Sequence, residues 1–331
     1  MKKKVLLIYT GGTIGMIKDN VKNTLVPFNF DKLLEASPEL KSENISLSNI
    51  CTKNPIDSSN MTPDHWIEIV SLLNDNYNAY DSFVVLHGTD TMAYTASALS
   101  FMLENLQKAV ILTGSQIPIG ERRTDAKENS ITSVEIDASG KINDVCIYFE
   151  DKLYRGNRTV KVNTEHFEAF HSPNFPVLAE AGVNIKYKNY LPKATGKLKI
   201  HTHISNDVAI LKLFPGISIK TIDAIFDSAK GIVIESFGTG NGPTSLEFSQ
   251  LLDKAIENGK ILINITQCLQ GSAILGNYAT SAPFGKSGIV CGKDITTEAA
   301  ITKLMFLLGK RLTDQEIKKE LQQDLRGEMS N

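Results

Sequence analysis

Two segments of the chain place polar side chains directly after short apolar runs. Thr10–Met16 follows Val5–Tyr9, and His87–Met92 follows Ser82–Leu86. Because ligands of open parallel sheets bind at the carboxyl ends of the strands, side chains at these places are the first candidates for chemistry. Thr13 in the first segment offers a hydroxyl, which is a poor nucleophile unless a base assists it.

The first segment contains Gly11 and Gly12 and allows three interpretations. A phosphate-binding loop needs G-x-G-x-x-G spacing or a G-K-[ST] ending, and the segment has neither. A plain tight turn would use the positive φ that glycine tolerates. In the third interpretation the turn presents the Thr13 hydroxyl to a cleft, with backbone N–H groups as donors to an anion.

The second segment places Thr89 and Asp90 side by side, and neither is an obvious base for an alcohol. A lysine whose pKa is lowered would complete a proton relay, since burial or a nearby cation favours the neutral amine. Asp90 also has a simpler interpretation, as the N-cap of the helix predicted over Thr91–Glu104. In that case the segment is only a strand end followed by a cap.

Strand and helix patterns alternate around these segments, which predicts a parallel sheet flanked by helices. We expect an α/β fold with a larger N-terminal domain (1–187), a linker (188–206) and a smaller C-terminal α/β domain (207–331), because 188–206 has no clean period. Thr62-Pro63-Asp64 predicts a helix start before a stripe of Trp66, Val70, Leu73 and Tyr77. Further strands are predicted at Ala109–Leu112, Val145–Phe149, Val208–Leu213, Gly231–Glu235 and Ile261–Ile265. Further helices are predicted at Ile217–Ser228, Ser245–Asn258, Thr297–Leu308 and Thr313–Leu325.

Composition excludes several function classes. The 331 residues carry a net charge of −2, which offers no electrostatic basis for binding nucleic acid or an anionic membrane. The four cysteines form no C-x-x-C pair, so neither a zinc ribbon nor a redox motif is present. The basic N-terminus precedes an apolar run of five residues, shorter than a signal peptide requires. We therefore expect a cytoplasmic protein.

The two polar segments resemble the two signature motifs of the L-asparaginase family, in wording close to its cytosolic bacterial type I branch. The first reads YTGGTIGM from Tyr9 to Met16, and the second reads LHGTDTMAY from Leu86 to Tyr94. The resemblance runs from near residue 5 to near residue 328. Further matching stretches are Met61–Pro63, Thr113–Pro118, Leu153–Thr159, Thr266–Cys268 and Leu325–Glu328.

This resemblance implies four catalytic residues. Thr13 matches the nucleophile that forms an acyl-enzyme with the side-chain carbonyl of asparagine. Thr89 and Lys161 match the pair that polarises a water or relays the proton. Asp90 matches the carboxylate that binds the substrate α-ammonium. Amide hydrolysis needs a nucleophile, a proton donor for the leaving ammonia and donors for the oxyanion, and this set is chemically suited to supply them.

The resemblance also implies the substrate-binding residues. The segment Asp57-Ser58-Ser59 matches the one that holds the α-carboxylate, with Ser58 as the first candidate donor. Gly88, Thr89 and Asp90 complete the pocket. The family uses no metal or organic cofactor, so we expect none. Its members are two-domain α/β proteins that assemble as homodimers or homotetramers, with a neighbouring chain near each site.

Two positions depart from the family pattern. Many members carry a tyrosine on the loop after the first signature, and the corresponding position here is Leu25. Some type I members bind asparagine at a regulatory site through an arginine, and that position here is Glu235. We therefore do not assume the tyrosine's assistance or the same effector control.

Three functions fit this pattern. The first is an amidohydrolase that converts L-asparagine and water to L-aspartate and ammonia through an acyl-threonine. The second is the ammonia-releasing subunit of a tRNA-dependent amidotransferase, which usually carries an added N-terminal domain, whereas here the first signature begins near residue 5. The third is a sensor that binds asparagine or aspartate without turnover, as the missing tyrosine would allow.

Overall fold

The computed structural model of the chain describes residues 2–15, 17–19, 24–26, 34, 37–40, 42–188, 194, 196–274, 281–286 and 288–330. The chain divides into two compact units, Met1–Thr202 and His203–Asn331. Each unit has its own sheet with parallel strands, and the larger, mostly parallel sheet belongs to the first unit. The predicted fold class is therefore confirmed.

The strands and helices of the first unit are named here in chain order. Its strands are β1 (Lys3–Gly11), β2 (Ile17–Asp19), β3 (Thr24–Val26), β4 (Ile45–Ile56), β5 (Ser82–Leu86), β6 (Leu103–Glu104), β7 (Val110–Thr113), β8 (Val145–Phe149), β9 (Lys152–Arg155), β10 (Val160–Lys161), β11 (Phe170–His171), β12 (Ala179–Glu180), β13 (Lys186–Tyr187) and β14 (Lys199–Ile200). Its helices are α1 (Pro63–Asn76), α2 (Met92–Met102) and α3 (Ala126–Ala138).

The main sheet of this unit has the strand order β13-β12-β9-β8-β7-β5-β1-β4. Five neighbouring strands of this sheet, β4, β1, β5, β7 and β8, are parallel. Strands β9, β12 and β13 run antiparallel to their neighbours. From β1 the chain continues to β4 on one side, and from β5 it continues to β7 on the other. Since β1 and β5 are adjacent, the strand order reverses between them, which is where open α/β sheets bind ligands.

The core of the first unit explains why β1 and β5 hold this central place. Residues 5–11 of β1 and all of β5 are buried. One face of the two strands packs against α3 through apolar side chains such as Leu7, Val84 and Val134. Strands buried on both faces read as continuous apolar runs, as these two do.

Helix α1 confirms the predicted start signal. Thr62 is the N-cap, Pro63 occupies the first helical position, and the Thr62 N–H donates to His65 Nδ1 at 3.1 Å. Trp66, Val70 and Leu73 of the predicted stripe are buried.

The predicted helix over Thr91–Glu104 ends too late. Helix α2 stops at Met102, and the next two residues form β6, which pairs with β14. Asn105 has a φ of 59°, a left-handed conformation that a helix does not continue through. Strand β14 lies within the predicted linker 188–206, of which 189–193 and 195 are outside the described residues.

The capping interpretation of Asp90 is wrong. The N-cap of α2 is Thr91, and Asp90 bonds to Lys161 instead. A carboxylate at this place in the sequence fits either role, and only the lysine brought in from elsewhere in the chain decides between them.

Strand β4 and helix α3 are the two longest described elements of the first unit that were not predicted. Strand β4 is the edge strand next to β1, and its mixture of polar, half-buried residues with Pro55 suits an edge, where a missing N–H is tolerated. Helix α3 has apolar residues without a strong stripe, because it buries small polar residues such as Asn129, Ser130 and Ser133 as well.

The second unit is a four-stranded parallel sheet in the order β15-β16-β17-β18, with helices named α4 to α8. Several predicted bounds shift by one or two residues, and the last helix is shorter than the predicted Thr313–Leu325. The strands are β15 (Val208–Lys212), β16 (Gly231–Ser236), β17 (Ile261–Thr266) and β18 (Val290–Cys291). The helices are α4 (Ile219–Ser228), α5 (Leu246–Glu257), α6 (Ala282–Lys286), α7 (Thr297–Gly309) and α8 (Asp314–Leu321).

A buried ion pair holds the end of the chain against α7. Lys303 Nζ lies 2.6 Å from Glu328 Oε1, and both side chains are fully buried. Glu328 also accepts from the Leu325 and Arg326 N–H groups. Burial acts to raise the pKa of Glu328, but the charge and hydrogen bond of Lys303, with the bond from the Leu325 N–H, lower it. Removing one partner of such a pair costs about 3–5 kcal/mol, because the other charge stays buried.

Helices long and apolar enough to span a membrane are absent from the described part of the chain.

Candidate active site

The two signature segments lie side by side at the reversal of strand order. Strand β1 ends at Gly11 and leads into a 3-10 turn, Thr13–Gly15, while β5 ends at Leu86 and leads through residues 87–91 into α2. Tyr9 pairs with Leu86 across the two strands. The segments therefore leave the sheet from neighbouring positions on the same edge.

Close contacts join these two segments to each other and to a third segment, which contains Ser58. A Cβ built on Gly12 would lie 2.4 Å from the Gly88 Cα, and one built on Gly88 would lie 2.6 Å from Ser58 Oγ. Gly11 and Gly12 have φ values of 122° and 83°. The glycines thus bring the turn that carries Thr13 against the segment after β5, and that segment against Ser58.

Gly12→Ala adds a methyl group at this contact. A control variant with the same backbone strain but no contact separates the two effects. For Gly12→Ala we expect a loss of about 3 kcal/mol or more in the free energy of unfolding, since the methyl group meets backbone atoms that no rotamer change can move. With Thr13 as the nucleophile that the resemblance implies, the protein that still folds should lose about 10²-fold in turnover, because Thr13 is misplaced. Thermal unfolding and ammonia release measure the two effects.

Gly216→Ala is the matched control. Its φ of 88° is close to that of Gly12, but a Cβ there has no neighbour within 4 Å. It should cost only the conformational strain, about 1–2 kcal/mol, and leave kcat unchanged. Equal losses in the two variants would show that the Gly12–Gly88 contact has no part in the site.

Lys161 bonds to both of the polar residues that follow Gly88. Its Nζ lies 2.8 Å from Thr89 Oγ1 and 2.7 Å from Asp90 Oδ1. The Lys161 side chain is 15% exposed and that of Asp90 is 62% exposed. The amine is therefore shielded while the carboxylate remains accessible to a charged ligand. The structure brings together three of the four predicted catalytic side chains.

A buried turn positions Lys161. Strand β10 follows a 3-10 turn, Gly156–Arg158, whose residues are all buried. A Cβ on Gly156 would lie 2.9 Å from the Val145 carbonyl oxygen and 3.0 Å from Ala96 Cβ. Only glycine fits there, so this turn packs directly on β8 and α2, and β10 begins at a defined place.

Gln116 holds the Thr89 hydroxyl from the other side. Thr89 Oγ1 donates to Gln116 Oε1 at 3.3 Å, and Gln116 Nε2 donates to the His166 carbonyl. The carboxylate of Asp125 accepts from the N–H groups of Gln116 and Ile117. Burial raises the pKa of Asp125, although these bonds act in the opposite direction.

The predicted carboxylate-binding segment forms a 3-10 turn, Ser58–Asn60, with Asp57 as its N-cap. Asp57 Oδ1 accepts from the Ser59 N–H at 2.8 Å and from Ser59 Oγ at 2.7 Å, and these bonds lower the pKa of Asp57. Ser58 instead contacts Gly88, and its carbonyl accepts from Thr91 Oγ1 at 2.7 Å. Asp57 and Ser59 shape the turn, and Ser58 is the member placed against the signature segment.

The position of Thr13 is set by the glycine before it, Gly12. Thr13 is half-buried and begins the 3-10 turn after Gly12. The Gly12–Gly88 contact therefore places Thr13 and Thr89, which each follow one of these glycines, on adjoining segments.

Two family models match successive parts of the chain. The model of the asparaginase N-terminal domain matches residues 4–193, and that of the glutaminase/asparaginase C-terminal domain matches residues 207–321. L-asparaginase 1 of Escherichia coli (strain K12) is 41% identical over 333 residues, which cover 99% of this chain and 98% of that protein. The chain belongs to the asparaginase family. The resemblance seen in the two signature motifs is thus confirmed.

Two solved members of the asparaginase family have the same fold throughout. The crystal structure of L-asparaginase I from Vibrio cholerae O1 biovar eltor str. N16961 matches with a TM-score of 0.93 at 39% identity, over 100% of both chains. The thermostable L-asparaginase from Thermococcus kodakarensis matches with a TM-score of 0.93 at 30% identity, over 99% of both chains.

The structure describes the side chain of only one of the two positions that depart from the family pattern, Glu235 and not Leu25. Leu25 lies in β3, opposite Lys18 of β2, but its side chain is outside the described residues. Glu235 in β16 is buried, accepts from Thr297 Oγ1 at 2.6 Å and pairs with Lys212 at 3.3 Å. An acidic group stands where the resemblance implies an arginine, so the same effector control is still not assumed.

The sequence alone assigned no role to Gln116 or Asp125, and it gave no sign that Gly12 contacts Gly88. Gln116 lies in a stretch that carried the resemblance, yet a glutamine after a strand end gives no hint of its partner. The strand end at Thr113 places it on the same sheet edge as the signatures. That position was the available signal for a site residue.

Proposed function

We propose that this chain is an L-asparaginase, which hydrolyses L-asparagine to L-aspartate and ammonia through an acyl-threonine. The observation that carries the proposal is the position of Lys161 Nζ, within hydrogen-bond distance of both Thr89 and Asp90. Identity over the full length with the L-asparaginase of Escherichia coli supports it.

A zwitterionic substrate fits the charges of the pocket. Asp90, with its exposed carboxylate, binds the α-ammonium. Ser58 offers a neutral donor to the α-carboxylate, and the turn formed with Asp57 and Ser59 holds it in place. Gly88 lacks a side chain, which lets Ser58 approach and keeps the pocket close to Thr13.

The reaction requires two acyl transfers. Thr13 Oγ attacks the carboxamide carbon, the C–N bond breaks, and the hydroxyl proton passes through Thr89 and Lys161 to the leaving ammonia. A water then attacks the acyl ester, gives its proton to the same relay and releases aspartate, so that the Thr13 hydroxyl is restored. Backbone N–H groups at the glycine turn serve as donors to the oxyanion.

In the structure Lys161 donates to Asp90, so a substrate α-ammonium bound at that carboxylate lies next to the lysine of the relay.

Steady-state release of ammonia by the purified chain tests the proposal. We expect turnover of asparagine, with one aspartate formed for each ammonia. Binding of aspartate without any ammonia release would instead support the sensor alternative. Ammonia release from glutamine alone would support the amidotransferase alternative, and a wide range of concentrations reports any cooperativity.

Three further predictions are part of the proposal. The domain bounds 1–187, 188–206 and 207–331 stay a prediction, and the second family model, which begins at residue 207, supports the start of the C-terminal domain. A homodimer or homotetramer and a cytoplasmic location rest on the sequence resemblance. Sedimentation of the purified chain and fractionation of cells test the last two.

A further inference from the structure

His87 lies between β5 and the reactive residues, and its ring has a partner at each nitrogen. The side chain is fully buried. Nδ1 lies 2.7 Å from the Gly88 carbonyl oxygen, and Nε2 lies 2.9 Å from Thr95 Oγ1. A carbonyl oxygen only accepts, so Nδ1 carries the proton. In a neutral ring Nε2 then accepts from Thr95.

Trp66 fixes the direction of this chain of bonds. Its indole Nε1, which can only donate, lies 3.0 Å from Thr95 Oγ1. The Thr95 hydroxyl accepts that bond and gives its own proton to His87. All three bonds therefore point the same way, from Trp66 through Thr95 and His87 to the Gly88 carbonyl, and all four residues are buried.

The ring is neutral at the pH where the enzyme would act. Burial lowers the pKa of His87 to about 4, although the bond to the Gly88 carbonyl opposes that change. A buried ring also has no access to substrate, so His87 is neither a base nor a nucleophile.

We infer that His87 is a positioning residue for the reaction, because its Nδ1–H sets the plane of the peptide between Gly88 and Thr89. This inference rests on the proposed function. The peptide is trans, so the Thr89 N–H points away from the ring that holds the Gly88 carbonyl. The orientation of this one peptide determines where Thr89 Oγ1 meets Lys161 Nζ and how Gly88 lies against Gly12 and Ser58.

Two substitutions of His87 distinguish the roles of its two ring nitrogens. His87→Asn puts an amide nitrogen where Nδ1 was, so the donor to Gly88 is kept. His87→Gln puts its amide near the place of Nε2, so the contact with Thr95 is kept and the donor to Gly88 is lost. Both variants lose the imidazole and should lose similar amounts of thermal stability.

Kinetics should distinguish the two variants although stability does not. We expect His87→Gln to lose about 10²-fold in kcat with little change in KM, since misplaced catalytic groups cost that much. His87→Asn should keep kcat within about threefold. Thr95→Val removes the outer bond but not the Nδ1–H, so it should lower the melting temperature and leave kcat nearly intact.

The reverse order of kcat in the Asn and Gln variants, or equal kcat in both, overturns the inference. If the Gln variant does not fold, a His87→Asn enzyme with a near-native melting temperature and a 10²-fold loss of kcat overturns it. The ¹⁵N spectrum of the ring provides an independent test, because an Nε2–H tautomer contradicts it. Thr13→Ala keeps the two proposals apart, since its inactivity supports the proposed function whatever happens at His87.

Discussion

Thr13→Ala is expected to fold normally and to lose turnover of asparagine by about 10⁴- to 10⁶-fold, as enzymes do when their nucleophile is removed. The residue is half-buried at the start of a 3-10 turn, and the turn is set by Gly11 and Gly12 rather than by the threonine side chain. Steady-state ammonia release measures the loss, and a thermal unfolding curve shows that the fold is intact.

Two matched variants show that this loss belongs to one hydroxyl. Thr13→Ser keeps a hydroxyl and should retain measurable turnover. Thr10→Val removes a buried hydroxyl from β1, the strand before Thr13, which donates to the Leu86 carbonyl at 3.0 Å. It should lower stability by about 1 kcal/mol and keep kcat near that of the unmodified enzyme. A Thr13→Ala enzyme within about tenfold of normal turnover contradicts the acyl-threonine mechanism.

The acyl-enzyme itself can be trapped by the same variants. Hydroxylamine added during turnover competes with water for the ester, so aspartyl hydroxamate should form with the unmodified chain and with Thr13→Ser. Thr13→Ala should form none. This outcome separates a covalent intermediate from direct attack by water.

Lys161→Met is the second change with a large expected effect. It should lower kcat by about 10²- to 10⁴-fold, the usual range for the loss of a general acid or base. The affinity for aspartate should change less, because the ammonium of the ligand still finds the Asp90 carboxylate. Ammonia release and calorimetric titration with aspartate measure the two quantities.

Lys161→Arg distinguishes proton transfer from charge alone. A guanidinium can keep the ion pair with Asp90, but it does not release a proton at any physiological pH. We therefore expect the Arg variant to be nearly as slow as the Met variant. Substantial rescue by arginine would mean that Lys161 contributes only its charge. Lys152→Met, which removes a lysine lying 3.5 Å from Asp151 and from Glu168, serves as a control without effect on kcat.

Much of the fold could be predicted from local patterns in the sequence. Strands β5 and β8 have their predicted bounds, and Thr62 caps α1 as its sequence indicates. These features depend on residues within a few positions of one another, because strand pleat, capping and helical spacing are short-range properties. The two-residue strands β6 and β14 were not predicted, since they exist only through each other.

In the candidate site, too, short-range features could be predicted and long-range contacts could not. The types and order of the residues around Thr13 and Thr89 were sufficient to recognise the family and to propose the reactive groups. Their order along the chain also favoured the same edge of a parallel sheet. No pattern in the sequence indicated that Gly12 lies on Gly88 or that Asp90 pairs with Lys161 instead of capping α2.

These contacts are decided by the folded chain, because they join residues that are far apart in sequence and close only once the sheet has formed. The direction of the bonds from Trp66 to Gly88 is of the same kind, since each donor is defined by an acceptor from another element. Residue types therefore specify which chemistry is available here. Long-range packing specifies which hydroxyl, amine and carboxylate meet to perform it.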